Sequence, residues 1–461
     1  MDWYDRFHRL YTEFDTDGLR AYRDLVDLFP AVDSPVALDY WEDAESALTE
    51  RQSAVASAFE DGEAMAEIAA LATRDEAFAG LDLYSRHGRA FDALVLDVDE
   101  TLRSAGATDN EIPREVLHLL TEFHERGVAI VVCTGQTLEN VKGFTIQGLG
   151  NEIVHSGDLS VVYESGTGVF TPGHGPETKR LLYEGLDEEI REIFASVRTR
   201  ALPDAPPVVR DGCHLQGNEF NVTLKPNHEA GTGRAREVID AALGHILDLL
   251  GAAVTDERTG PTYARAYYAA SDPEIEAALA RRDDLADLSA GGVPDPVAET
   301  FARVDVAYYE ADAAEISSLE LDKAAGVEAA LSVLGIDDPF VLVMGDSKTD
   351  LRVMERVAER GAGVSAAPEH ASDAVLEHVR ATDDLVFARG AAAEMLRTAH
   401  VVNVLAGLNG DQSSDSELGS ASNSSPGSDG GSDSPSSDPP SSSSSADAGD
   451  SDAGGAGAEN T

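Results

Sequence analysis

Four short stretches of this chain carry side chains suited to handling an anion and a cation together. Asp97-Val98-Asp99-Glu100-Thr101 follows the apolar run Leu94-Val95-Leu96, and alternate residues at a strand end aim two carboxylates at one point. Thr134-Gly135 follows Val128 to Cys133; a small hydroxyl there can hold a phosphoryl oxygen, and the glycine lets the chain turn close by. Lys323 stands at the start of a predicted helix, after Glu320-Leu321-Asp322. Gly345-Asp346-Ser347-Lys348-Thr349-Asp350 follows Val341 to Met344 and presents two further carboxylates four residues apart. Any one of these stretches is ordinary in an acidic protein. Their order, and the strand ends before three of them, set them apart. A calcium loop at Asp97 is excluded, because Leu102 occupies the position that needs glycine.

The flanking pattern supplies the elements that must position these groups. Leu94 to Leu96 reads as a buried parallel strand, Pro113 to Arg126 as an amphipathic helix stopped by Gly127, and Val128 to Cys133 as a second buried strand. That is a βαβ unit. Ala324 to Leu334 reads as a helix, Phe340 to Met344 as a strand, and another helix starts near Asp350. A long mixed segment separates the two blocks. The expected fold is therefore α/β: a doubly wound parallel-sheet core (residues 91–165 and 320–405) with an α/β cap inserted at 166–319. Ligands in such sheets collect at the carboxyl ends of the strands.

Residues 1–90 read as a helical extension. Leu19, Tyr22, Leu25, Val26 and Phe29 recur at helical spacing, and Asp15 to Gly18 interrupts them. The segment 406–461 is rich in Ser, Asp, Gly and Pro, and buries too little apolar surface to offset chain entropy, so a disordered acidic tail is expected. Within the insertion, 218–224 alternates like a strand, 234–250 reads as a helix with Val238, Ala242, Ile246 and Leu249 on one face, and 304–309 as a later strand. Asn218 and Lys225, with Gln216 and Asn221, are candidates to touch a substrate from the cap.

The chain has 461 residues, 34 Lys plus Arg against 85 Asp plus Glu, and a formal net charge of −51. Nucleic acid and anionic membranes are repelled by such a charge, so neither is an expected partner. Only five lysines occur (Lys142, Lys179, Lys225, Lys323 and Lys348). Concentrated salt screens the self-repulsion, and the composition resembles that of salt-in haloarchaea. Cys133 and Cys213 cannot form a disulfide framework, and no apolar run spans a bilayer. The start Met1-Asp2-Trp3-Tyr4-Asp5 has no signal-peptide character, so a cytoplasmic location is expected. Cys213-His214 has no second pair at zinc spacing, and Cys133, His155, His174 and His228 read as structural.

Taken together, Asp97/Asp99, Thr134, Lys323 and Asp346/Asp350 resemble the four motifs of the haloacid dehalogenase superfamily, on its phosphatase branch. The resemblance covers about residues 91–400, with the large cap in the position the superfamily gives it. It implies Asp97 as nucleophile, Asp99 as acid and base, and Thr134, Gly135 and Lys323 as holders of the phosphoryl oxygens. It further implies Mg²⁺ held by Asp97, Asp346, Asp350 and the main-chain carbonyl of Asp99. The implied activity is hydrolysis of a small phosphorylated metabolite, a sugar phosphate or a phosphoglycolate-like ester. A phosphomutase uses the same aspartyl-phosphate, and a non-enzymatic scaffold has no need to keep all five charged groups. Glu100 stands where sugar-phosphatase members have glycine, Gln136 where arginine is common, and Thr349 in place of a frequent asparagine. Lys348 either pairs locally or reaches the substrate.

Overall fold

The computed structural model describes residues 2–28, 35–103, 112–228, 231–255, 258–285 and 287–420. Five helices come first: α1 (Trp3–Glu13), α2 (Thr16–Leu28), α3 (Pro35–Ala56), α4 (Gly62–Leu71) and α5 (Arg74–His87). There follow β1 (Ala93–Leu96), α6 (Arg114–Glu125), β2 (Ala129–Cys133), α7 (Leu138–Val154), β3 (Leu159–Tyr163), β4 (Gly168–Phe170) and β5 (Lys179–Leu181). The inserted segment contains α8 (Glu188–Arg200), α9 (Pro207–Gly212), β6 (Cys213–Gln216), β7 (Asn221–Pro226), α10 (Gly231–Val254), α11 (Gly260–Ser271), α12 (Pro273–Arg281), α13 (Asp295–Phe301), β8 (Val304–Tyr309) and β9 (Ala313–Ser318). The chain returns through α14 (Lys323–Leu334), β10 (Val341–Met344), α15 (Lys348–Arg360), β11 (Gly363–Pro368), α16 (Asp373–Ala381), β12 (Leu385–Phe387) and α17 (Ala392–Ser420).

The core sheet has the order β12-β11-β10-β1-β2-β3-β4-β5, parallel from β12 to β3 and antiparallel at β4 and β5. Chain order reverses at β1, which lies between β10 and β2, so the switch point of the doubly wound sheet falls at Asp97. Every residue of β1, β2, β3 and β10 is buried, as expected for strands covered by helices on both faces. The core continues further than the expected boundary at 165. After β3 the chain turns at Glu164, Ser165 and Gly166, all at positive φ, and β4 and β5 add to the same sheet. A hairpin satisfies the backbone edge of β3 more economically than a direct exit into the cap.

The cap is built on a separate four-stranded antiparallel sheet, β6-β7-β9-β8. Val222, Leu224 and Ile316 turn to one face and pack with Val238, Ala242, Ile246 and Leu249 of α10, the face anticipated for that helix. Alternate residues Asn221, Thr223 and Glu315 lie on the other face, in register with Ser317, Asp305 and Ala307.

The N-terminal helices share an apolar cluster with the last helix: Phe7, Leu10, Leu19, Met65 and Ile68 pack with Val401, Val404 and Leu405. Leu405 is fully buried, and α17 runs on to Ser420, so the helix passes the boundary at 406. Residues 421–461 lie outside the described residues, and the expected disorder of the tail lies there with them. Among the described residues, no helix is long and apolar enough to cross a membrane.

Ion pairs also hold the extension. Arg23 of α2 pairs with Asp27 on its own helix and with Glu122 of α6, and His118 Nε2 lies 3.4 Å from Asp27 and 3.5 Å from Glu122. Those two carboxylates hold the His118 imidazole up to about 9. Burial opposes ionisation of Glu122, but His118 and Arg23 bring it down to about 2. The signs fix the window. The His118 contribution is complete below the unfolded value, about 6.5, and is lost as pH rises through about 9. The Glu122 contribution is complete above about 4.5 and is lost as pH falls toward 2. Thermal midpoints of wild type should therefore decline between pH 6.5 and 9.5, and His118→Gln should remove that slope. Parallel curves would dismiss the pair as a contributor.

Candidate active site

The carboxyl ends of β1, β2 and β10 place the site. The ladder continues one step past β1, where Asp97 N donates to Met344 O at 2.9 Å, and past β2, where Thr134 N donates to Val162 O at 2.9 Å. Asp97, Thr134, Lys323 and Asp350 are all buried. Lys323 begins α14, where the helix dipole disfavours a cation, so local helix preference does not explain it. Two carboxylates do: Lys323 Nζ donates to Asp97 Oδ1 at 2.7 Å and to Asp350 Oδ1 at 2.6 Å. Burial works against the ammonium, yet Asp350 and Asp97 hold it well above its ordinary range. Gly166, at φ +99°, lies directly on this turn; a Cβ there would come within 2.0 Å of Asp322 O.

Asp350 sits in the first turn of α15 and forms a capping box with Ser347. Ser347 N and Oγ donate to Asp350 Oδ2 at 3.1 and 2.6 Å. Gly345 is required by this packing, because a Cβ would lie 2.4 Å from the Asp350 side chain. Oxygens of Asp97, Asp346 and Asp350 all lie within 4.8 Å of one another. Burial, with repulsion from Asp350 and Asp346, raises Asp97 to about 8 against the pull of Lys323. Burial and Asp350 likewise raise Asp346 to about 6. Three carboxylates against one ammonium leave a surplus of negative charge among hard oxygen donors. That donor set fits a divalent cation of the Mg²⁺ kind, held by Asp97, Asp346 and Asp350.

Asp99 takes a different position. Its carboxylate is half exposed; Arg103 Nε and Nη2 donate to Oδ1 at 3.0 and 2.6 Å, and Gln136 Nε2 donates to Oδ2 at 2.6 Å. Gln136 N in turn donates to Thr134 Oγ1 at 3.1 Å. The glutamine that departs from the family pattern thus joins the Asp99 and Thr134 loops. Arg103 escaped the sequence reading; its spacing of four from Asp99 was the available signal.

Glu100 has φ +60°, a conformation that costs a residue with Cβ and that glycine adopts freely. Its carboxylate lies 3.3 Å from His370 Nε2 after β11. Glu100→Gly should be more stable than Glu100→Ala by about 1 kcal/mol, the reverse of the order in a helix interior. Urea unfolding of the two variants compares them directly, since both lack the His370 contact. Equal stabilities would remove backbone strain as the explanation.

The cap candidates divide. Asn218 Nδ2 donates to Glu164 O at 3.2 Å and to Thr167 Oγ1 at 2.8 Å, and its Oδ1 accepts from Phe220 N at 2.8 Å. It is a clasp between the cap and the turn after β3, with its amide fully engaged. Lys225 Nζ lies 3.5 Å from Asp312. Gln216 Nε2 meets His214 Nε2 at 3.0 Å, and Asn221 Nδ2 donates to Glu315 Oε1 at 2.8 Å. Cys133 is buried in β2, where burial pushes its thiol up, so it is no nucleophile. A cleft of about 1060 Å³ opens at the opposite end of the strands, lined in part by Phe91, Asp92, Val128 and Asn403. Two of its polar side chains serve the fold: Asp92 accepts from Phe340 N, and Asn403 bonds both backbone groups of Phe91.

Residues 295–385 match the model of the haloacid dehalogenase-like hydrolase family. That match covers the segment that carries Lys323, Asp346 and Asp350 of the site. Among solved structures it is similar to a HAD/COF-like hydrolase from Plasmodium vivax: 16% identity, covering 71% of this chain and 99% of that chain, TM-score 0.41. It is similar also to a haloacid dehalogenase-like hydrolase from Bacteroides thetaiotaomicron: 13% identity, 67% of this chain and 98% of that chain, TM-score 0.37. The sucrose-phosphatase of a Synechocystis species gives 13% identity, 68% of this chain and 98% of that chain, TM-score 0.37. No curated protein matches.

Proposed function

We propose that this protein is a Mg²⁺-dependent phosphatase that hydrolyses a small phosphate monoester through an aspartyl-phosphate at Asp97. The observation that supports it best is the contact of Lys323 with both Asp97 and Asp350, beside Asp346, at the switch point of the sheet. Lys323 grips Oδ1 of Asp97 and leaves Oδ2 as the attacking oxygen. That oxygen forms a bond to phosphorus as the in-line bond from phosphorus to the ester oxygen breaks, and Asp99, entering the step protonated, gives its proton to the departing oxygen. Asp99 gives up a hydrogen bond from Gln136 or Arg103 to do so. Asp99 then takes a proton from water, the water oxygen bonds to phosphorus, and the Asp97–phosphorus bond breaks to release phosphate. Thr134 Oγ1 and the Gly135 amide hold a transferring oxygen, and Lys323 offsets its charge. A bound Mg²⁺ supplies charge neutralisation for the phosphoryl group.

The substrate class we assign is a small, hydroxyl-rich phosphorylated metabolite. The cap sheet supports this reading. Asp305, on its polar face, meets Arg352 of the core, so the face with Asn221, Thr223 and Glu315 turns toward the core. Thr223 Oγ1 and Asn221 Nδ2 both donate to the Glu315 carboxylate, which is an acceptor for sugar hydroxyls. A phosphate-release screen in molar KCl with Mg²⁺ tests the proposal. Turnover of at least one monoester, abolished by chelation, is expected. Release from none of a broad panel, or undiminished release with chelator, would refute it.

A further inference from the structure

The apolar cluster of the cap and those of the core domain are distinct, and Leu182 packs against both the cap cluster and one of the core clusters. Polar ties add to that contact, and two of them leave from one helix. α15 begins inside the metal motif, with Ser347 as its cap and Asp350 in its first turn. From this helix Lys348 Nζ reaches Glu274 Oε2 of α12 at 3.1 Å, and Arg352 Nη2 reaches Asp305 Oδ2 of β8 at 2.5 Å. Spaced by four, Lys348 and Arg352 share one face of α15, and that face meets the cap.

We infer that Lys348 and Arg352 form a latch: positioning residues that keep the cap seated on α15, the helix that also carries Asp350. The inference deepens the hydrolase reading, because it assigns the cap's seating to the same site. Partly exposed ion pairs are individually weak, as a contact must be if it breaks whenever a product leaves. α15 carries both the latch and Asp350, so any coupling through this helix would be reciprocal: a group that steadies Asp350 would steady the seated cap. A chain with five lysines has placed one of them here.

Electron–electron distance measurements test this without turnover. Exposed Glu276 of α12 and Glu359 of α15 are replaced by cysteine and spin-labelled; Cys133 and Cys213 are buried, with thiols pushed up by burial. The labelled parent should show one dominant distance. Glu274→Lys with Asp305→Arg should cut the population at that distance at least threefold. Should that variant not fold, Glu274→Gln with Asp305→Asn carries the test, with the same direction expected. The swap Lys348→Glu with Glu274→Lys should restore seating relative to Glu274→Lys alone, which a purely structural role would not do. An unchanged distribution in the charge variants, or a swap that fails to restore it, overturns the latch. A shifted distribution in a protein that releases no phosphate from any monoester upholds the latch and sinks the hydrolase reading instead.

Discussion

Asp97→Asn should reduce phosphate release by on the order of 10⁴-fold or more, as loss of a covalent nucleophile does in other hydrolases. The amide is nearly isosteric but cannot form the phosphoryl bond. It also cannot mimic the negative charge that Lys323 contacts at 2.7 Å. The fold should tolerate the change, because Lys323 keeps Asp350 at 2.6 Å. The thermal midpoint should therefore move little while turnover vanishes, and this separation identifies a chemical role. Single-turnover assays with a labelled monoester should show label on the wild-type chain, released by hydroxylamine, and none on the variant. Activity within tenfold of wild type would remove the aspartyl-phosphate from the mechanism.

Lys323→Met should have the largest effect on stability. The ammonium is buried between Asp97 and Asp350, whose side chains are 7% and 4% exposed. Removing one member of a buried ionic group leaves its partners uncompensated, at a typical cost of about 3–5 kcal/mol. Asp346 adds a third carboxylate within the same 4.8 Å, so no nearby group relieves the repulsion. Turnover should fall together with stability. Mg²⁺ should then stabilise the variant more than it stabilises wild type, because the cation replaces the missing charge. Urea unfolding with and without Mg²⁺ measures both effects. A loss below about 1 kcal/mol without the cation would mean that the carboxylates do not depend on Lys323.

Much of the site is legible in the sequence because its signals are local. Asp97, Thr134 and Asp346 each follow an apolar run that reads as a buried strand, and strand ends are where such sheets gather ligands. Helices α6, α10 and α14 were legible from their residue patterns, and α6 also from its stop at Gly127; that Gly335, at φ +74°, ends α14 is seen in the structure. Glycines at 166 and 345 are explained only by what approaches them: Asp322 O in one case and the Asp350 side chain in the other. The extra strands β4 and β5 were not legible as core, because short runs of three residues carry too little periodicity to say which sheet they join.

The Asp99–Gln136–Thr134 connection and the Asn218 clasp were likewise out of reach. Each depends on loops brought together by strand order, which residue types do not encode locally. Lys348 is the sharpest case: its motif pointed to the metal site, but its partner, Glu274, lies 74 positions away in the cap.

What the linear order of residues determined was the chemistry available: a carboxylate pair, a hydroxyl, an ammonium and a second carboxylate pair, each at the end or start of a regular element. What the tertiary structure alone decided was their union. β10 must lie beside β1 before Asp346 and Asp350 reach Asp97, and α14 must cross the sheet before Lys323 joins them. The physical reason is range. Helical and strand periodicity is set by neighbours a few residues apart, whereas charge pairing between residues 226 positions apart exists only once packing has fixed which strands are adjacent.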